Sequence, residues 1–210
     1  MRRPYPNVCS VRARIVFVVA QPRSRIRLGR ADWIEAALQA LADDGPSGVV
    51  VERLADRLGT TKGSFYWHFK DRQDLITEAL AAWEREDTDA VIDELKKIKD
   101  PVERLRVATV MATEYEEAEN PDVRLLPSAS DPVVGEVVKR VQRKRLDFLA
   151  QIFREVGFTP AESRLRAGLA YSLALGWHQQ RLIEGSERAT ARERTAYQRR
   201  AVELLATRTG

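Results

Sequence analysis

An all-helical protein is predicted from three features of the sequence. Apolar residues recur at helical spacing, helix-start signals punctuate the second half of the chain, and no strand-like alternation or hairpin dipeptide competes. A length of 210 residues allows one or two domains with a sizeable core. The 44% hydrophobic and 31% charged content are those of a soluble globular protein. The one cysteine, Cys9, excludes an intramolecular disulfide framework and fits a reducing cytoplasm. No run approaches the roughly 18 apolar residues of a membrane span, so no membrane partner is expected.

The first thirty residues hold Arg2, Arg3, Arg12, Arg14, Arg23, Arg25, Arg27 and Arg30 and no acidic residue. They carry +8 against a total of +4, so residues 31–210 sum to −4. Ile15–Ala20, IVFVVA, follows a basic stretch as the core of a signal peptide would, but falls short of the about 7–15 apolar residues such a core needs. Secretion is not expected. Two readings of residues 1–26 stay open: a disordered leader, or a basic arm adding sequence-independent phosphate contacts.

The first helix is expected from near Arg30 through ADWIEAALQALADD, with Trp33, Ile34, Ala37, Leu38 and Leu41 as its apolar stripe and Gly45-Pro46 as its stop. VVVERLADRL then places Val51, Leu54, Ala55 and Leu58 on one face of a short helix. Gly59 ends it as the residue that enters the left-handed conformation without a Cβ penalty, and Thr61 offers a hydroxyl to cap the next helix. That helix, expected over Lys62–Phe69, is too short to stand alone and must be pinned by packing, for which Phe65 and Phe69 supply a stripe. Its other side offers Lys62, Gly63, Ser64, Tyr66, Trp67 and His68: a cation, bare backbone, a hydroxyl and amphipathic rings, suited to a phosphate-lined groove. Lys70 and Arg72 add positive charge beyond it. The arrangement is that of a helix-turn-helix whose second helix enters the major groove.

The stretch LGTTKGSFYWHFKDR (residues 58–72) resembles the recognition segment of the TetR family of one-component transcriptional regulators. The similarity extends upstream through Arg30, Ile34, Ala36, Ala37, Leu41, Gly45, Leu54, Ala55 and Gly59. The resemblance implies that the first helix packs behind the helix-turn-helix with Arg30 close to a phosphate, and that Thr61, Lys62, Gly63, Ser64, Tyr66, Trp67, His68, Lys70 and Arg72 meet DNA. Two positions depart from the pattern. Val50 stands where Thr or Ser commonly caps the helix and touches the DNA backbone, and Thr60 stands where Val is usual.

After Lys70 a single long helix is expected to residue 99, opened by Asp71 and Asp74, with Leu75, Leu80, Trp83, Val91, Leu95 and Ile98 as its apolar face. Asp100-Pro101-Val102-Glu103, Asp131-Pro132, Thr159-Pro160-Ala161-Glu162 and Thr190-Ala191-Arg192-Glu193 each mark a helix start. Helices are thus expected over about 101–119, 122–129, 132–156, 160–184 and 190–207. The chain is divided into an arm (1–26), a helix-turn-helix domain (27–75) and a helical effector-binding and dimerisation domain (76–210).

Leu165–Trp177 is almost continuously apolar or small, and such a helix needs partners on most sides. The resemblance implies that the last two helices form a four-helix interface with a second copy, and the small residues Ala167, Gly168, Ala170, Ala174 and Gly176 permit close approach; intrachain core is the alternative. An effector cavity would be lined by Trp83, Met111, Tyr115, Phe148, Tyr171, Trp177 and His178, bulky side chains with a few polar tips, although core packing explains each of them singly.

Enzyme chemistry is not expected. The only histidines are His68 and His178, and Cys9 lies in the arm, so neither a Cys/His dyad nor a histidine-rich metal cluster can be assembled. No phosphate-binding glycine loop is present, and no cofactor is implied. The expected function is a ligand-responsive regulator, by family tendency a repressor, which binds an inverted-repeat operator as a homodimer and responds to an unidentified small molecule. An effector-independent architectural DNA-binding protein is the alternative, distinguished by affinity without sequence preference. If the arm contacts phosphates, deleting residues 1–26 flattens the salt dependence of DNA binding; an unchanged slope in a salt titration rejects that role.

Overall fold

The structure, a computed structural model, describes residues 28–114, 121–184 and 190–207, and all the elements in them are helical. The helices are α1 (Arg30–Asp44), α2 (Val51–Leu58), α3 (Lys62–Tyr66), α4 (Arg72–Glu84), α5 (Ala90–Lys96), α6 (Pro101–Thr113), α7 (Pro121–Arg124), α8 (Pro132–Val156), α9 (Pro160–Glu184) and α10 (Ala191–Ala206). Short 3₁₀ turns lie at Pro46–Gly48 and Leu126–Ser128.

The sequence signals act where expected. Asp100 accepts from the amides of Val102 and Glu103, Asp131 from Val133 and Val134, and Thr159 from Glu162. Thr190 and Glu193 form a reciprocal capping box. Each of these bonds satisfies an amide that the helix itself leaves without a partner. Val50 caps α2 by backbone alone, as its apolar side chain requires. At Asp71 the arrangement differs in detail: Asp71 accepts from the Asp74 amide, while the Asp74 carboxylate reaches back to the amide of Lys70.

Two expected helices are corrected. The helix expected over Lys62–Phe69 ends at Tyr66, and the amides of His68 and Phe69 both turn back to the Phe65 carbonyl. The single helix expected after Lys70 is interrupted by a π-helical turn at Arg85–Asp89, between α4 and α5. Such a turn accommodates one extra residue and so rotates the apolar face that follows it. Leu75, Leu80 and Trp83 before it enter one core, and Val91, Leu95 and Ile98 after it pack in another.

The chain forms two compact units, neither of them a single segment. By packing, the unit that holds the helix-turn-helix runs on to Asp89 before the chain passes to the other unit. Among described residues, the first unit comprises α1–α4, the π turn, α7 and the start of α8, up to Arg143. Its core is built on Trp33, Ala37, Leu41, Val49, Phe65, Leu75, Ala79 and Leu80, all completely buried. Leu125, Val134 and Val141 from the later segment complete it. At its edge the Arg140 guanidinium grips the Glu84 carboxylate through Nε (2.9 and 3.0 Å) and Nη2 (2.5 Å), and Arg124 pairs with Asp43. The Glu84 bond pushes the Arg140 pKa further up.

The second unit contains α5, α6, the rest of α8, α9 and α10, with Leu105, Phe148, Ile152, Phe153, Ala167 and Val202 in its core. Several polar groups buried there are partnered. Arg104 donates to the Ile98 carbonyl (2.9 and 2.7 Å) and to Glu155 (2.6 Å), and Gln198 donates to Thr113 Oγ1 at 2.8 Å. Arg166 donates to the Leu205 carbonyl at 2.5 Å and stacks over Phe158, 4.0 Å from the ring centroid.

Phe65 holds α3 in place, so Phe65→Ala is expected to destabilise the first unit by about 3–5 kcal/mol. Urea unfolding followed by far-UV circular dichroism measures this; a loss below about 1 kcal/mol contradicts the anchoring role.

Candidate nucleic-acid interface

The surface begins with a turn. α2 ends at Gly59, whose backbone lies at φ 64°, ψ 36°, and whose amide bonds to the carbonyls of Ala55 and Asp56. A non-glycine residue is strained there. The Thr60 amide continues to the Ala55 carbonyl at 2.9 Å, and Thr61 caps α3 by accepting from the Ser64 amide at 3.3 Å. Two helix termini are thereby closed within a few residues, which fixes the angle at which α3 leaves α2.

A five-residue helix has no independent stability. Phe65, fully buried, meets Trp33 of α1 edge-on at 5.4 Å and stacks with Phe69 at 5.5 Å, and Phe69 is itself 2% exposed. With that side anchored, the remaining side chains are presented outward. Tyr66 is 57% exposed and Trp67 88%, while Lys62, Gly63 and Lys70 are exposed and Ser64 and His68 half-buried. Tyr66 packs edge-on against Phe65 (5.1 Å), which orients its ring without covering it. A Cβ on Gly63 would meet only Thr61 Oγ1, at an ordinary contact distance of 3.6 Å. Nothing within the fold therefore requires glycine at that position.

Lys62 is not a free cation. Its Nζ lies 2.5 Å from Oε1 of Glu52, the second residue of α2, and both side chains are about half exposed. The hydrogen bond between them, reinforced by their opposite charges, raises the Lys62 pKa and lowers that of Glu52. Glu52 was not singled out by sequence pattern: it lies ten positions from Lys62, across a turn, beyond the reach of helical periodicity.

Two other expected contacts receive internal partners. Arg72 donates through Nε to the Val49 carbonyl at 2.7 Å and through Nη2 to the Pro46 carbonyl, which ties the start of α4 to the turn before α2. Arg30, the first residue of α1, pairs with Glu78 at 3.0 Å and lies over Phe69, 4.9 Å from its centroid, with its side chain still 45% exposed.

Of the seven residues expected to line an effector cavity, six lie among the described residues. Trp83 is buried in the core of the first unit. Met111 and Phe148 lie in the core of the second. Trp177 stacks on Tyr197 with centroids 4.5 Å apart, and Tyr197 donates its hydroxyl to the Leu173 carbonyl. His178 is 2% exposed with Nε2 2.6 Å from the Ala112 carbonyl, so Nε2 carries a proton, and its buried Nδ1 has no hydrogen-bond partner among the described residues. Tyr171 is half-buried, and Tyr115 lies outside the described residues. Among the described residues no cluster of three or more metal-ligating side chains occurs, and no helix is long and apolar enough to cross a membrane.

Residues 34–79 match the family model of bacterial regulatory proteins, tetR family. The tetracycline repressor protein class C of Escherichia coli is 44% identical over 55 residues, 26% of this chain and 25% of that protein. The chain thus spans about a quarter of the length of the curated relatives it matches. Over most of its length it shares a fold with regulators of far lower sequence similarity. The FadR regulator of Bacillus subtilis, solved with stearoyl-CoA, superposes with a TM-score of 0.65 at 15% identity, covering 85% of this chain and 98% of that one. AibR, solved with isovaleryl coenzyme A and operator DNA, gives a TM-score of 0.63 at 17% identity, covering 83% and 96%. Residues 34–79 are thus similar in sequence to the tetR family of bacterial regulatory proteins, and the chain shares its helical architecture with the solved regulators.

Proposed function

We propose that the chain is a transcriptional regulator that binds an inverted-repeat operator as a homodimer and represses until a small-molecule effector releases it. The observation that carries this reading is the outward face of α3. Tyr66 and Trp67, at the end of α3 and just past it, stand in solvent, as do Lys62 and Lys70, while the opposite side of the helix is fixed by the fully buried Phe65. Large rings with polar tips held rigidly next to cations suit a groove walled by phosphates, where Tyr, Trp and His donate to phosphate oxygens and lysine reaches phosphates or base edges. Gly63, free of any internal requirement, lets the backbone approach the DNA closely. Thr61 and Ser64 complete the contact surface. Arg30 retains exposure enough to reach a phosphate, whereas Arg72 serves chiefly to hold the turn before α2.

Dimerisation is supported by α9. Leu165, Leu169 and Leu173, spaced four apart, are 66, 58 and 36% exposed, and Ile183 is 78% exposed. Gly168 and Gly176 have open space where a Cβ would stand. An apolar stripe broken by glycines suits close packing against the same stripe of a second copy. Two α3 helices related by a two-fold axis would then read half-sites about one helical turn, roughly 34 Å, apart.

The effector belongs, on this reading, to the second unit, near Met111, Phe148, Trp177 and the unfilled His178 Nδ1. Two structures of similar fold carry acyl-CoA molecules, which makes acyl-CoA thioesters the first class to test. The chain has no catalytic role in this account, and its place is the cytoplasm with the DNA it reads.

Lys62→Ala and Tyr66→Ala are each expected to weaken operator binding by about tenfold or more, read by fluorescence anisotropy, with the dimer intact in sedimentation; wild-type affinity in both rejects the α3 surface. Leu169→Glu is expected to give a folded monomer at micromolar concentration, and a persisting dimer would place the interface elsewhere. An effector that weakens operator binding about 5- to 150-fold must itself be weakened by operator in the same ratio, since the coupling is reciprocal.

A further inference from the structure

The Glu52–Lys62 pair is difficult to explain as a stabilising element. Both side chains are about half exposed, and exposed ion pairs contribute little to stability. It is equally difficult to explain as a phosphate contact. A carboxylate beside the only lysine at the start of α3 cancels the charge that would attract phosphate and repels the phosphate itself. Yet the turn at Gly59 brings these two termini together, at the surface that the proposed function places against DNA.

The chemistry of the major groove supplies a place for such a pair. A lysine ammonium only donates and an ionised carboxylate only accepts. The floor of the groove offers complementary groups: guanine presents acceptors at O6 and N7, and its partner cytosine presents a donor at N4. Because O6 and N4 of a G·C pair are hydrogen-bonded to each other, they lie about 2.9 Å apart. The Lys62 Nζ and Glu52 Oε1 atoms lie 2.5 Å apart. Donor and acceptor on the protein therefore have nearly the spacing of acceptor and donor on the base pair. An A·T pair also shows a donor beside an acceptor, at adenine N6 and thymine O4, but the thymine methyl crowds the acceptor, and no second acceptor adjoins it for the ammonium.

We infer that Glu52 is a specificity-determining residue that, together with Lys62, reads one G·C base pair in each half-site, Lys62 on the guanine and Glu52 on the cytosine amino group. The pair enters the groove preassembled: the ammonium keeps one N–H on the carboxylate and turns its other two to the guanine acceptors, so the carboxylate stays compensated. Its second role is discrimination. Off the operator, Glu52 faces phosphates or bases without an amino group, and the pair then lends no charge to non-specific binding. This inference rests on the reading of the chain as a DNA-binding protein.

The test is selection of bound sequences from randomised duplex DNA by the full-length protein, for wild type, Glu52→Ala and Glu52→Gln, with circular dichroism to confirm that each variant is folded. Wild type is expected to select an inverted repeat containing a fixed G·C pair in each half-site. Glu52→Ala is expected to lose the preference at that pair by about tenfold while the other positions are retained. The same variant should bind random DNA more tightly, with a salt slope steeper by roughly 0.9 per half-site, because Lys62 is released to a phosphate. Glu52→Gln, which keeps the size of the side chain and gains a donor, should shift the position toward adenine. An inverted repeat that both variants select with every base preference unchanged overturns the role of Glu52 and leaves the regulator reading standing. Failure of the wild type to select any shared motif overturns both.

Discussion

The burial of Phe65 against Trp33 is the contact on which the functional surface depends. A helix of five residues leaves most of its backbone groups without helical partners and cannot form alone. Thr61 satisfies one amide at its start, the Phe65 carbonyl accepts two amides at its end, and the Phe65 ring does the rest by filling the core of the first unit. Every outward group of α3, from Lys62 to Tyr66, and Trp67 just past it, takes its direction from that one inward group. The exposure of Tyr66 and Trp67 is thus a consequence of α3 being anchored on one side only.

Around this anchor the charged residues divide by function. Those that bind carbonyls or buried carboxylates hold the frame: Arg72 on the turn before α2, Arg140 on Glu84, Arg104 on the end of α5 and Arg166 on the end of α10. Guanidinium suits these positions because its several fixed donors can satisfy several acceptors at once. Lys62 and Lys70 stay at solvent, where a compact charge on a flexible stem can be re-aimed. Glu52 is the exception, an acid on a surface otherwise suited to an anionic partner, and its position opposite Lys62 turns a charge into a pattern of donor and acceptor.

Beyond the recognition surface, two helical stretches of the chain contribute to both units. One runs through α4, the π turn and α5, and the other is α8. The extra residue of the π turn rotates the helix face, so a single run of sequence can present Trp83 to one core and Leu95 to the other. α9 carries the opposite kind of feature. Its apolar content exceeds what its own unit covers, and the excess falls on one stripe, with glycines Gly168 and Gly176 open beside it.

Much of this was legible in the residues. The helices, their caps at Asp100, Asp131, Thr159 and Thr190, the left-handed glycine at Gly59 and the stripe of Phe65 and Phe69 are local properties, set by side chains within about four positions of the backbone groups they satisfy. The helix-turn-helix was legible for the same reason, and with it the list of outward residues on α3. What the sequence could not determine involves residues far apart in the chain. Arg72 folds back onto Pro46 and Val49, Glu52 meets Lys62 across a turn, Trp83 joins the first core rather than the second, and the leucines of α9 are left uncovered. Periodicity reports that a helix has an apolar face; it does not report which neighbour covers that face. Which cation stays free is likewise decided by whichever acceptors the fold brings within about 3 Å, and that is a property of tertiary structure alone.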